Sequence, residues 1–130
     1  MKEIKLDGYA LVSQHIVMTE HLNANHHIFG GQLLAWLDKD LYVFISTKMR
    51  YKRLVTLGMN NVRFRKPAHL GEIIQIYGQI KQVKRSSVTA NGKAVAFDPE
   101  SLATREIIEC EITFVALDEK GRPSRIFEQP

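Results

Sequence analysis

Apolar positions recur at helical spacing over one long stretch only. From residue 29 to about 49, Leu34, Leu37, Leu41, Phe44, Ile45 and Lys48 fall on one stripe, and LYVFI at 41–45 is apolar nearly all round. That pattern predicts a long helix wrapped by protein on most sides. The rest of the chain reads at the period of strands. Residues 9–19 are rich in β-formers and run into turn chemistry at 23–27, and strands follow at 54–65, 72–84, 86–97 and 105–117. Pro67 and Gly71, the Lys84-Arg85 corner and the run DPES at 98–101 separate them. One helix followed by an antiparallel meander is an α+β plan in which a curved sheet wraps the helix. Without repeat, low-complexity stretch or linker, residues 1–130 read as one domain, with 118–130 (DEKGRPSRIFEQP) as a loose tail.

Composition narrows the setting. A chain of 130 residues with 45% hydrophobic content can build one core and not two. No run approaches the roughly 18–20 apolar residues of a membrane span, and the start MKEIKLDGYA lacks the apolar region of a secretory signal, so the expected location is the cytoplasm. The one cysteine, Cys110, lies in the strand pattern EIIECEITF with no base beside it, and reads as an inert thiol. The formal charge of +4 suggests an anionic partner. Arg63, Arg65 and Lys66 cluster in VRFRKP, and Lys81, Lys84 and Arg85 in KQVKRSS. Charge alone leaves three readings: nucleic acid, a nucleotide-bearing ligand, or a solvated strand face.

The chemistry concentrates in residues 21–38, HLNANHHIFGGQLLAWLD, where a polar turn passes through Gly30 and Gly31 into the helix. The first N–H groups of a helix lack partners within it and lie at the positive end of its dipole, so glycines there let a polarised oxygen approach. Asp38 is seven residues after Gly31, nearly on the same helix face but about 10 Å along the axis, too far for both to meet one carbonyl carbon from a single chain. Asn23 can donate and accept, which suits holding a water, and is equally an ordinary turn residue. A neutral imidazole at His27 can activate water near neutral pH, or His26-His27 is a solvated loop pair. His21 and His69 could join them in a metal site, but no spacing matches a recognised one and no metal is expected.

Four motifs in order over about a hundred residues carry a family resemblance: the turn, glycine pair and helix acid of 23–38; Phe64-x-x-Pro67-x-x-x-Gly71-Glu72; Arg85-Ser86-Ser87; and TFVALD at 113–118 with Gly121 beyond. The chain resembles the hotdog-fold acyl-CoA thioester hydrolases, in particular the small bacterial branch related to cytosolic acyl-CoA hydrolases of animals. The resemblance implies hydrolysis of acyl-CoA to free acid and CoA. Gly30 and Gly31 would polarise the thioester carbonyl, Asp38 or His27 would activate water, and Asn23 would help hold it. Arg63, Arg65, Lys66, Arg85, Ser86 and Ser87 would bind the phosphates of coenzyme A, which is part of the substrate; no other cofactor is implied. It further implies a two-fold dimer with antiparallel helices, the glycine pair of one protomer facing the partner's Asp38, and assembly onwards as a trimer of dimers. Strand alternation turns Phe64 away from Arg63 and Arg65, into the core. Trp36 and Tyr42 would line an acyl pocket or serve as core. The chain departs from its relatives at His27, where they carry Asp, Asn or Thr, at His21, and in the bulky run Lys39 to Phe44. Two other classes stand beside the enzyme: a non-catalytic acyl-CoA-binding module that lost its base at His27, and a nucleic-acid-binding protein using the same cationic strands.

Overall fold

The computed structural model describes residue 4 and residues 6–126. Strand β1 (Ala10–Ile16) leads through a 3₁₀ turn (Thr19–His21) to the helix α1 (Gly30–Met49), and β2 (Leu54–Phe64), β3 (Ile73–Val83), β4 (Ser87–Phe97) and β5 (Thr104–Ala116) follow. All strand pairs are antiparallel, in the order β1-β3-β4-β5-β2. The meander is therefore limited to β3, β4 and β5. β2 does not pair with β3 as a plain meander requires; it lies at the far edge against β5, and residues 65–72 carry the chain back over the end of the sheet.

The helix settles on the sheet through Leu33, Leu37, Leu41 and Ile45, all buried and four residues apart, with buried Trp36 beside Leu37. Opposite them are Ile74 and Ile76 of β3, Val88, Ala90 and Ala94 of β4, and Ile108, Ile112 and Phe114 of β5. Two strand glycines set the close approach: a Cβ on Gly78 or on Gly92 would lie 2.7 Å from a methyl of Leu41. One row of the helix stays open. Gly31, Ala35, Lys39, Val43 and Thr47, four residues apart, are exposed, so the protomer does not wrap the helix on most sides as its apolar run predicts.

The segment after β5 is tied down where the sequence predicts a loose tail. Asp118 accepts the amides of Lys120 and Arg122, Ser124 donates its amide to Ala116, and Ile126 is buried with its amide on the Arg85 carbonyl. The final four positions of that tail lie outside the described residues.

Candidate active site

The turn before α1 closes on itself. The Asn23 amide donates to the His27 carbonyl (2.8 Å), while the Asn23 side-chain oxygen accepts the amides of Asn25 (2.8 Å) and His27 (3.2 Å). Both lone pairs of that oxygen are taken, so only the NH₂ of Asn23 is left for a substrate or water, as a donor. The turn is anchored on either side: Phe29 donates its amide to His21 and Ile28 to Ala68.

At the helix start, Gln32 and Leu33 donate to the Phe29 carbonyl. The amides of Gly30 and Gly31 find no acceptor among the described residues, Phe29 provides no side-chain cap, and the first turn holds no acid. Two unpartnered N–H groups at the positive end of a 20-residue helix are donors that can receive an anion or a polarised oxygen. Phenyl rings wall them: Phe64 lies 3.2 Å from where a Gly30 Cβ would stand and Phe29 3.2 Å from that of Gly31. Phe64 is 56% exposed and so is not core. The alternation holds, since Phe64 pairs in register with buried Ile108 and its ring reaches the start of the helix, but β2 is the edge strand and this end of it is left uncovered.

Asp38 is half-buried, and one of its oxygens accepts the Thr56 hydroxyl of β2 at 2.6 Å. The other has no protein donor among the described residues. Sequence reasoning passed over Thr56; its only signal is a lone hydroxyl in the apolar run LVTLG. Within the chain Asp38 and the glycine amides remain separated by about 10 Å of helix.

His27 lies edge-on to His69, ring centroids 5.1 Å apart, and His69 belongs to the crossover that returns from β2. That crossover is pinned by a buried ion pair. Arg105 of β5 donates to both oxygens of Glu72 (2.8 and 2.6 Å) and to the Pro67 carbonyl (3.0 Å), and Glu72 also accepts the His69 amide (2.6 Å). Burial alone would raise the Glu72 carboxyl; hydrogen bonds from Arg105 and the His69 amide, with the guanidinium charge, outweigh it and hold the group below the usual carboxylate range. Among the described residues no three His, Cys, Asp or Glu side chains converge as metal ligands.

Trp36 and Tyr42 are occupied structurally. Trp36 stacks flat on His15 (4.3 Å) and meets the edge of His21 (5.0 Å), and the Tyr42 hydroxyl donates to the Lys52 carbonyl. Beneath Trp36, buried Asp40 accepts Ser13 (2.6 Å) and His15 (2.7 Å), a polar contact between helix and β1 that the sequence pattern does not announce. Burial pushes the Cys110 thiol up to about 12, helped by the charges of Glu111, Asp38 and Glu109, which keeps it protonated and unreactive.

The predicted phosphate-binding residues form two groups rather than one. Arg63 pairs in register with Glu109, Arg65 is ion-paired to Glu109 at 2.7 Å, and Lys66 follows at the same end of the sheet. Ser87 lies opposite Val115, so Arg85, Ser86 and Ser87 sit at the other end. Six strand residues, about 20 Å, separate the two groups along β5.

The family profile of the thioesterase superfamily matches residues 25–103. An uncharacterized acyl-CoA thioester hydrolase of Haemophilus influenzae is 31% identical over 121 residues, covering 89% of this chain and 77% of that protein. The acyl-CoA thioester hydrolase YciA of Escherichia coli is 28% identical over 117 residues and covers 87% of each. Among solved structures, the hexameric thioesterase of Yersinia pestis superposes with a TM-score of 0.82 at 28% identity, over 89% of this chain and 93% of that one.

Proposed function

The chain belongs to the thioesterase superfamily, and from that premise we infer that it is an acyl-CoA thioester hydrolase whose site is completed by a second copy of itself. The thioester carbonyl oxygen rests on the amides of Gly30 and Gly31. The partner's Asp38, steadied through its other oxygen by a threonine hydroxyl, takes a proton from water as the water oxygen bonds to the carbonyl carbon. The negative charge gathering on the carbonyl oxygen is met by the two amides, a kind of donor typically worth about 10²–10³ in rate. The C–S bond then breaks, free acid forms, and the proton passes to the departing thiolate. Asn23 donates its NH₂ to the water or carbonyl, and His27 stands beside it as a second acceptor for the proton. No cofactor takes part.

The observation that carries this reading is the combination of two unpartnered helix-start amides with a carboxylate held by Thr56 on the same face, each incomplete alone. The partner is argued from the edge strand. β2 leaves Val55, Leu57 and Phe64 exposed at 44%, 69% and 56%, an apolar edge that one protomer does not cover. Two such edges pairing antiparallel about a two-fold axis bring the Phe64 end of one chain to the Leu54 end of the other. The same operation sets Arg63 and Lys66 of one chain near Arg85, Ser86 and Ser87 of the other, gathering the two cationic groups around one nucleotide. Three such dimers make the hexamer we propose for the full assembly. No helix among the described residues is long and apolar enough to cross a membrane, and we place the enzyme in the cytoplasm. Thiol release measured across acyl-CoAs of increasing chain length tests the reading. Turnover of at least one supports it, whereas tight binding with no turnover identifies a binding module, and salt-dependent binding of nucleic acid without CoA overturns it.

A further inference from the structure

His27 is a position at which the chain departs from the family pattern, and the fold supplies it with a partner. The turn and the crossover run side by side. Ile28 donates its amide to the Ala68 carbonyl (2.9 Å), which sets residue 27 across from residue 69. The two imidazoles meet there edge to face, with ring centroids 5.1 Å apart and planes at 72°, a favoured arrangement for two flat rings. His27 is half-buried and His69 exposed, so the pair has an inner and an outer member.

The turn itself fixes only the backbone of His27. Its amide donates to the Asn23 side chain (3.2 Å) and its carbonyl accepts the Asn23 amide (2.8 Å). Among the described residues neither ring nitrogen makes a hydrogen bond, and the ring contact of His27 is with His69. This matters for an imidazole more than for a carboxylate. A carboxylate offers two equivalent oxygens, so a half-turn leaves the base unchanged; an imidazole has two unlike nitrogens, and only the unprotonated one, turned towards the water, accepts a proton. The second side-chain torsion of histidine is broad, so the ring plane has to be set by a neighbour.

His69 stands on a tied backbone. Its amide donates to Glu72 (2.6 Å), whose carboxylate is gripped by Arg105 at 2.8 and 2.6 Å. Arg105 also holds the Pro67 carbonyl, two residues before His69 (3.0 Å), and the Ala68 carbonyl between them takes the Ile28 amide. Glu72 and Arg105 are thus the charged groups beside His69, and they are spent on each other and on the crossover. The ring at 69 is left to meet the ring at 27.

We propose that His69 is a positioning residue for thioester hydrolysis: it sets the ring plane of His27 so that one nitrogen faces the attacking water, a service that an imidazole requires and an acid at the same place does not. This rests on the thioesterase reading and assigns a residue within it. His69 acts through His27 and takes no proton itself. The water O–H bond breaks as its oxygen bonds to the carbonyl carbon, the proton goes to the His27 nitrogen, and from there it passes to the departing thiolate.

The test is a double-mutant cycle on the full-length protein, read as kcat for the acyl-CoA that the chain-length series shows to be turned over fastest. His69→Ala should lower kcat about tenfold with KM little changed, whereas His69→Phe, which keeps a ring edge and no nitrogen, should retain most of the rate. In a His27→Asp background the same His69→Ala change should alter kcat by less than about twofold, because the carboxylate has no ring to set. A loss of equal size in both backgrounds overturns the proposal and makes His69 a packing residue of the crossover. So does a loss under about twofold in the parent background, or a His27→Ala variant as active as the parent. Proton NMR of the histidine rings at fixed pH supplies a readout free of turnover: the His27 ring signals should move in His69→Ala while those of His15 and His21 stay in place. If the parent protein turns over no thioester, the hydrolase reading fails and the NMR comparison still decides the pairing: displaced His27 signals support ring-setting by His69, and unchanged ones refute it.

Discussion

Arg105→Met isolates the contact that holds the crossover against the site. The substitution keeps the aliphatic stem and deletes three hydrogen bonds: two to Glu72, at 2.8 and 2.6 Å, and one to the Pro67 carbonyl at 3.0 Å. Breaking a buried pair from one side typically costs about 3–5 kcal/mol, because the remaining charge is stranded. Here the Glu72 and Arg105 side chains keep 11% and 26% of their accessibility, so water relieves part of that cost and about 2–3 kcal/mol is expected. Urea unfolding at fixed protein concentration measures it. The pH dependence gives a second check. Because the folded state lowers the Glu72 pKa, its contribution is complete above the unfolded value of about 4.3 and fades as pH falls through the folded value. The stability gap between parent and variant should therefore be full at pH 7 and narrow below about pH 4. The double variant Glu72→Gln/Arg105→Met, which strands no charge, should recover part of the loss. A gap under about 0.5 kcal/mol at pH 7, or one of equal size at pH 3.5, would refute the assignment of the pair as a buried anchor.

Thr56→Val removes the donor that steadies Asp38 and should lower kcat about tenfold with KM little changed; an unchanged kcat would detach Thr56 from the chemistry. Gly30→Ala places a Cβ 3.2 Å from the Phe64 ring, an exposed side chain free to swing away, so melting temperature should barely move while kcat falls about 10²-fold as carbonyl access closes. Comparable losses of stability and rate would instead make Gly30 a packing residue. If His27 accepts the proton, kcat/KM should rise with pH, His27→Asp should shift that rise to lower pH, and His27→Ala should abolish it; an alanine variant with the parent's profile leaves Asp38 as sole base.

What the sequence disclosed follows the range over which each signal acts. The helix and the strand bodies rest on local periodicity, and the observed α1 at Gly30–Met49 departs from the 29–49 expectation by one residue. Strand order does not rest on local pattern. Nothing near Arg65 says that the chain must cross to β3 and leave β2 at the edge; that shows only in contacts between distant positions, β2 with β5 and Arg105 with Glu72 across 33 residues. Phe64 shows the same limit: alternation turns it to the helix side, opposite buried Ile108, but its exposure depends on β2 being the edge strand, which no local pattern announces. In the candidate site, Gly30, Gly31 and Asp38 stand out in the sequence because a turn entering an apolar helix has few reasons to carry them together. Thr56 does not, because one hydroxyl in a strand acquires meaning only from the carboxylate 18 residues away. The cationic groups were legible as charge and not as place: only the strand register shows that Arg65 and Arg85 lie at opposite ends.

That the two halves of the site come from different protomers can be tested without any structure of the assembly. Asp38→Asn keeps the glycine amides and loses the base; Gly30→Pro keeps Asp38 but removes an amide at the helix start, a position where proline's fixed φ is tolerated. Each variant alone should fall by two or more orders of magnitude in kcat while still binding CoA. In an equimolar mixture allowed to exchange subunits, half the dimers are mixed. Each mixed dimer assembles one site from an intact glycine pair and an intact Asp38, and one site from two damaged halves, so about a quarter of parental activity should return. A site contained within one chain predicts no recovery, because every chain then carries its own defect. Exchange is verified independently by tagging one variant and capturing the other with it. Captured mixed assemblies that stay inactive would refute the shared site and return both the unpartnered glycine amides and Asp38 to a single protomer, where about 10 Å of helix keeps them apart.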